Sequence, residues 1–420
     1  MPASGSPDRG GDLGRCRCWR RRDDGAGRAR NPGHSQVTLP RIRRQDGSGG
    51  RGVLDLTDFS RRRARAALLA REAGFSAFAF VPGPNFLYLT GLEFHLMERP
   101  TVLLLTTEGR VRAIMPELER SRWRNAFPEA RTFFWRDCEG YADAFRKLSA
   151  TLAGPVGVEG MRMRMFEFEA LRSHLPHGAV VDAEPALAKL RICKESEEVV
   201  ALRRAVSISE AALDEQLETA RAGDSEVEIV ARLKQAMLAR GAEGFAFDPI
   251  VLSGPKSADP HGTPGNRTVA PGEPLLVDFG ASWGGMNADI TRTFFCKHVP
   301  ESSRAIYDTV LAANARGREV VGPGIACDSV DRETTAVLSE SPFAEMIRHK
   351  TGHGLGLDVH EAPHVMVGNE MPLAAGMVVT IEPGLYRSGD LGVRIEDNVL
   401  ITEEGAECLT RFPREAQCFG

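Results

Sequence analysis

The sequence predicts two successive units that each mix helices and strands: an α/β unit over about residues 53–188, then a larger unit over 189–420. Three observations predict this. Apolar strand-like runs interleave with helical patterns through the first unit. The charged stretch EPALAKLRICKESEEV then breaks the alternation and reads as a seam. Beyond it, two long helical patterns precede a second alternation that runs to the C-terminus, with no repeat of solenoid period.

Residues 1–52 hold 12 Arg and 5 Asp, a net of +7 that leaves −11 for the remainder of a chain whose total is −4. This stretch is rich in Gly, Ser, Arg and Pro and has no sustained apolar period, so it is expected to be a disordered tail. It lacks the apolar core of a signal peptide. DFSRRRARAALLAREAG carries an Asp cap, a helical pattern and a terminating Gly74. FSAFAFV reads as a strand and PGPNFLYLTG as a loop dense in turn residues. Strands follow at TVLLLTT, VRAIMP, ARTFFWR, PVGVEG and GAVVDAE, with helices near 140–152 and 164–174. In the second unit, helices are expected near 196–220, 225–240, 302–320 and 327–339.

The chain's 420 residues, 42% of them hydrophobic, suffice for one large core or two moderate ones. A net charge of −4 offers no case for nucleic acid as a partner. Arg outnumbers Lys 46 to 7, which suggests coding bias more than a binding patch. Eight cysteines are scattered without CxxC spacing, as expected of reduced thiols in a cytoplasmic protein. No apolar run approaches the length of a membrane span.

The stretch LLVDFGASWGGMNADITRTFF, residues 275–295, carries two aspartates inside otherwise apolar strands. Gly284-Gly285 is a favoured two-residue hairpin turn, which makes Trp283 face Met286 and Gly280 face Asp289. Side chains alternate with period two, so Asp278 and Asp289 become diagonal neighbours on one face, about 7 Å apart. Ionised carboxylates this close repel unless a proton or cation lies between them. The alternative is a pair of exposed aspartates on a solvated face. HKTGHGLGLDVHEAPHV sets His349, His353, His360 and His364 in a segment too glycine-rich for a stable helix. MVVTIEPGLY ends a strand on Glu382, and LGVRIEDNVLI reads as one strand with Arg394, Glu396 and Asn398 on a common face. Glu396 in that reading pairs with Arg394 or lies in solvent. Taken together, Asp278, Asp289, His353, Glu382 and Glu396 form an oxygen-rich donor set for two divalent cations, such as Mn, Co, Fe or Zn. Bridging carboxylates would hold two such cations about 3.5 Å apart.

VDFGASWGGMNADITRTF, GHGLGLDVHEAP, TIEPGLY and GVRIEDNV resemble the motifs of the pita-bread metallopeptidases, especially bacterial Xaa-Pro aminopeptidases (aminopeptidase P) and prolidases. The resemblance runs from about residue 58 to the C-terminus; AGFSAFAFVPGPNFLYLTG is similar to the creatinase-like N-terminal domain of that group. It implies an α/β creatinase-like domain followed by an α+β pita-bread catalytic domain. Carried over by position, Asp278 binds one metal, Asp289 and Glu396 bridge both, and His353 and Glu382 hold the second. His261 in SGPKSADPHGTPGNR and His360 match the family's catalytic histidines, and Arg394 matches the arginine that orients the last carboxylate.

The implied reaction is hydrolysis of the N-terminal Xaa-Pro bond of a peptide by a hydroxide bridging two metals. In it Glu382 moves the proton, while His360 and His261 stabilise the oxyanion. A homodimer is implied as well. Within this reading the sequence leans to aminopeptidase P over prolidase, because no carboxylate clamp is evident apart from Arg99. A creatinase-type hydrolase and a non-catalytic binding module compete, but both lack the complete ligand set. Methionine aminopeptidase shares the ligands but not an N-terminal domain of this kind.

Overall fold

The computed structural model describes residues 59–175 and 180–420, so the expected tail at 1–52 lies outside the described residues. The first domain is a six-stranded mixed sheet in the order Arg131–Trp135, Val111–Pro116, Val102–Thr106, Ala77–Phe80, Val156–Val158, Val180–Asp182. Period-two alternation covers both of its faces. Phe78, Phe80, Leu103 and Leu105 pack with Trp123 on one side, and Ala77, Ala79, Val102 and Leu104 pack with Phe145 on the other. The expected helix is present as Phe59–Glu72, burying Arg62, Ala66, Ala67 and Ala70.

PGPNFLYLTG is not a loop. Pro84–Thr90 forms a short helix, with Pro at its first turn and Gly91 at φ 69° closing its C-terminus. Both residues are turn signals that serve equally as the brackets of a helix. The tight fit of Phe86, Tyr88 and Leu89 in the core decides for the helix. A further helix, Arg120–Ala126, carries no motif that singled it out in the sequence.

After the seam, Lys194 N–H donates to Gly376 O at 2.7 Å, tying the connecting segment to the second domain. There the helices Ser196–Thr219 and Glu226–Ala239 pack through Leu202, Ala205, Leu213 and Leu233 against Val277, Phe279 and Ile290. Helices Glu301–Val320 and Cys327–Ser339 pack on other strands through Ile306, Val310 and Val330. The sandwiched strands form a four-stranded sheet (Cys418–Phe419, Ile290–Cys296, Pro274–Phe279, Ile250–Ser253) and a five-stranded one (Glu361–Val365, Gly352–Gly354, Val378–Ile381, Asp397–Ile401, Ala406–Cys408). A separate pair joins Gly384–Arg387 to Leu391–Arg394. LGVRIEDNVLI is therefore two strands broken at Ile395-Glu396, and both its faces are buried. All described residues belong to one compact unit.

Candidate metal centre

The hairpin keeps the register its glycines dictate. Trp283 pairs with Met286 and Asp278 with Thr291, and Gly284 and Gly285 sit at φ 58° and 77°, as a turn with two left-handed residues requires. Asp278 and Asp289 are both buried, which rules out the solvated face. A methyl group on Gly280 would lie 1.7 Å from Ala288 O, so only glycine lets the strands close beside Asp289. On the other sheet, a methyl on Gly352 would lie 2.0 Å from Thr380 O, next to His353.

Glu382 and Glu396 each follow a carbonyl, of Ile381 and Ile395, that accepts from the buried Asn314 amide at 3.1 and 3.2 Å. One helix side chain thus fixes two strand ends. Glu382 N–H donates to Thr351 O at 2.8 Å, and Glu396 N–H to Thr291 O at 3.1 Å.

These elements bring all five candidate ligands together. Donor atoms of Asp278, Asp289 and Glu396 lie within 4.8 Å of one another, as do those of His353, Glu382 and Glu396. His353 Nε2 is 3.3 Å from Glu382 Oε1 and 3.6 Å from Asp289 Oδ2. His353 Nδ1 donates to Gly354 O at 3.1 Å, so the proton is on Nδ1 and a bare Nε2 faces two carboxylates. Burial, with the neighbouring His360, pulls the pKa of His353 down to about 3, which keeps the ring neutral. Burial first, then repulsion from their neighbours, pushes Asp289 and Glu396 well above the carboxylate range, and burial lifts Glu382 to about 7.

Asp278 Oδ1 and Glu396 Oε1 are buried without a hydrogen-bond partner. Unpartnered carboxylate oxygens and a bare imidazole nitrogen in one cluster of donor atoms fit divalent cations.

Arg394 does not pair with Glu396. Its Nη2 pairs with Asp278 Oδ2, its Nε donates to Thr291 Oγ1 at 3.1 Å, and its Nη1 to Tyr386 OH at 2.8 Å. Thr291 Oγ1 in turn donates to Glu396 Oε2 at 2.7 Å, so Arg394 reaches that carboxylate through a hydroxyl. Tyr386 OH lies 2.8 Å from Nε2 of His349, whose Nδ1 donates to Lys350 O. Tyr386 and Thr291 were not singled out in the sequence, where a hydroxyl two residues past a Pro-Gly break carries no distinct signal.

The exposed ring of His360 has its centre 4.0 Å from that of His353, tilted at 58°, and its nitrogen can also approach Asp289. His261, also exposed, lies close enough to disfavour a proton on His349 and His360. Arg99 is not part of the site; it is held by Glu98 and Asp137 in the first domain. Another cation is near. Half-buried Lys350 has its Nζ 3.1 Å from His364 Nδ1, and among the described residues it makes no ion pair. Its charge is felt at Glu382, His353 and His360.

A family model described as metallopeptidase family M24 matches residues 200–403, and one described as the creatinase/prolidase N-terminal domain matches 62–193. The "Probable dipeptidase PepE" of Mycobacterium tuberculosis is 33% identical over 366 residues, 86% of this chain and 96% of that protein. A recombinant prolidase from Thermococcus sibiricus superposes with a TM-score of 0.83 at 32% identity, covering 86% of this chain and all of the other. An X-Pro aminopeptidase from Thermotoga maritima does so with a TM-score of 0.74 at 29% identity, covering 85% and 99%.

Proposed function

From the premise that the chain belongs to metallopeptidase family M24, with a pita-bread catalytic domain behind a creatinase/prolidase N-terminal domain, we propose that it is an Xaa-Pro dipeptidase. The sequence alone leaned to aminopeptidase P. The dipeptidase and prolidase names among the relatives favour the shorter substrate. The observation that carries the reading is Lys350, a half-buried cation beside the candidate metal centre that feels Glu382 and Asp331 but, among the described residues, forms no ion pair. A cation withdrawn from part of its water favours a partner, and the free carboxylate of a bound dipeptide is one that a longer peptide cannot offer at the same place.

Asp278, Asp289, His353, Glu382 and Glu396 would hold two divalent cations, manganese by preference, which polarise the scissile carbonyl and activate water. Arg394 orients Asp278 directly and Glu396 through Thr291. Glu382 accepts the proton of the attacking water and passes it to the proline nitrogen as the bond breaks. His360 and His261 donate to the developing oxyanion. The substrate's α-amine lies toward Asp278. A homodimer with a catalytic domain starting near residue 189 completes the proposal.

The deciding assay compares Xaa-Pro dipeptides, Xaa-Pro-Xaa peptides and Met-Ala-Xaa peptides. Dipeptides should be cleaved best, and Lys350→Ala should raise their KM about tenfold or more, the loss expected for a charged hydrogen bond. Preference for longer proline peptides would make the protein an aminopeptidase P. Efficient Met-Ala cleavage would overturn proline specificity altogether.

A further inference from the structure

The ring of His360 is exposed and, among the described residues, has no hydrogen-bond partner; its one ring contact is with His353. Its position must therefore come from the backbone on either side. That backbone carries two acidic residues, Asp358 and Glu361, and both are gripped by cations from outside the catalytic domain's strands. Buried Glu361 has Oε1 2.5 Å from Lys194 Nζ, and its Oε2 pairs with Arg191 Nη1. Arg191 Nη2 is 3.1 Å from Asp358 Oδ2, and Arg162 Nη2 is 3.1 Å from Asp358 Oδ1. Glu361 Oε2 also accepts from Asp358 N–H at 3.3 Å, closing the loop over His360.

The chain of contacts continues into the first domain. Arg191 Nε donates to Asn85 Oδ1 at 2.7 Å, and Asn85 Nδ2 donates to Glu159 Oε1 at 2.9 Å. Glu159 Oε2 accepts from Val81 N–H at 2.8 Å, at the end of a central strand. From the opposite side, Asn287 Nδ2 donates to Gly356 O and Leu357 O at 3.0 Å each. The segment bearing His360 is thus held between the hairpin of Asp289 and a charged clamp made of Arg162 from the first domain and of Arg191 and Lys194 from the connecting segment, with Arg191 reaching the first domain through Asn85.

We propose that the clamp of Arg162, Arg191 and Lys194 on Asp358 and Glu361 positions His360, so that contact between the two domains sets the geometry of the catalytic site. This rests on the role assigned to His360 above. Positioning of this kind matters because a misplacement of about 1 Å in a reacting group can cost about 100-fold in rate.

Arg162→Gln in the full-length, metal-loaded protein is the informative variant. The Arg162–Asp358 pair is partly exposed, with side-chain exposures of 34% and 30%, so its loss should leave folding nearly untouched. The clamp predicts a fall in kcat of roughly 3- to 10-fold with KM within twofold and metal content unchanged, and recovery in Arg162→Lys. The same substitution should move or broaden the His360 ring resonance in histidine-labelled protein loaded with diamagnetic zinc, assigned by its absence in His360→Ala. In a His360→Ala background, Arg162→Gln should lower kcat no further. Unchanged kcat and an unmoved resonance, or a full additional loss on top of His360→Ala, would overturn the clamp. If His360→Ala were itself fully active, the proposed role of His360 would fall, while the resonance would still decide the clamp.

Discussion

Two clusters of charge lie a few residues apart in this molecule, one partly exposed and one buried, and they are built on opposite plans. Around Glu361 and Asp358, two carboxylates meet three cations. Burial acts to raise the pKa of Glu361, but Lys194 and Arg191 outweigh it and hold the group below its ordinary range. Around Asp289, four carboxylates share one guanidinium, Arg394, and burial with mutual repulsion drives Asp289 and Glu396 upward. The first cluster is complete as folded. The second lacks positive charge, and two oxygens in it have no partner at all. The lesson is that the number of acidic residues does not identify a metal site, whereas uncompensated charge does.

The largest effect should come from supplying or removing that missing charge. Exhaustive chelation should abolish activity, and Asp289→Ala or Glu396→Ala should abolish both activity and retention of about two metals per chain, measured by elemental analysis. Full turnover after chelation would erase the contrast between the clusters. Next in size, His360→Ala should lower turnover roughly 100-fold with metal content intact. Lost metal would make that residue a ligand instead.

Stability should separate the clusters by sign. In metal-free protein, Asp289→Asn removes repulsion and should raise the melting temperature, whereas Glu361→Gln strands buried Lys194, leaves Arg191 with Asp358 alone, and should cost about 3 kcal/mol in denaturant unfolding. A shared sign would mean that the balance of charge has been misread. The pH dependence should split the same way. Glu382, lifted from 4.5 to about 7, keeps in the folded state a proton that the unfolded chain releases, so it makes metal-free stability fall as pH rises from about 4.5 to 7. Glu361, held below 4.5, contributes stability that is present above that value and lost as pH falls through its folded pKa. Glu382→Gln should make the first slope shallower, leaving the part due to Asp289 and Glu396, and leave the second unchanged. The smallest effect belongs to residues 1–52, which have no apolar face to contribute; a chain starting near Leu54 should keep its melting temperature and turnover.

The unbalanced cluster was legible in the sequence because each of its parts has a local signature. Gly284-Gly285 sets the hairpin register, and period two then puts Asp278 beside Asp289. The break of a strand on Glu382-Pro383 is equally visible. The balanced cluster was not legible. Arg191 and Glu361 are 170 residues apart, and nothing near either one marks it as a partner of the other. Arg394 was seen beside Glu396, but its contact with Asp278 spans 116 residues and depends on how two sheets meet. The helix Pro84–Thr90 was hidden for a different reason: proline and glycine mark turns and helix ends alike, and only burial of Phe86 and Leu89 separates the two.

The bare backbone at Gly280 and Gly352 has a consequence for anyone redesigning this protein. With room for no added methyl group at either position, a saturation library across residues 278–289 and the strand that carries His353 would be depleted of clones at those two codons before selection for any new property began. Diversity meant to alter metal preference belongs instead at Thr291, whose hydroxyl touches Glu396, and at Tyr386, whose hydroxyl touches the Arg394 guanidinium that pairs with Asp278.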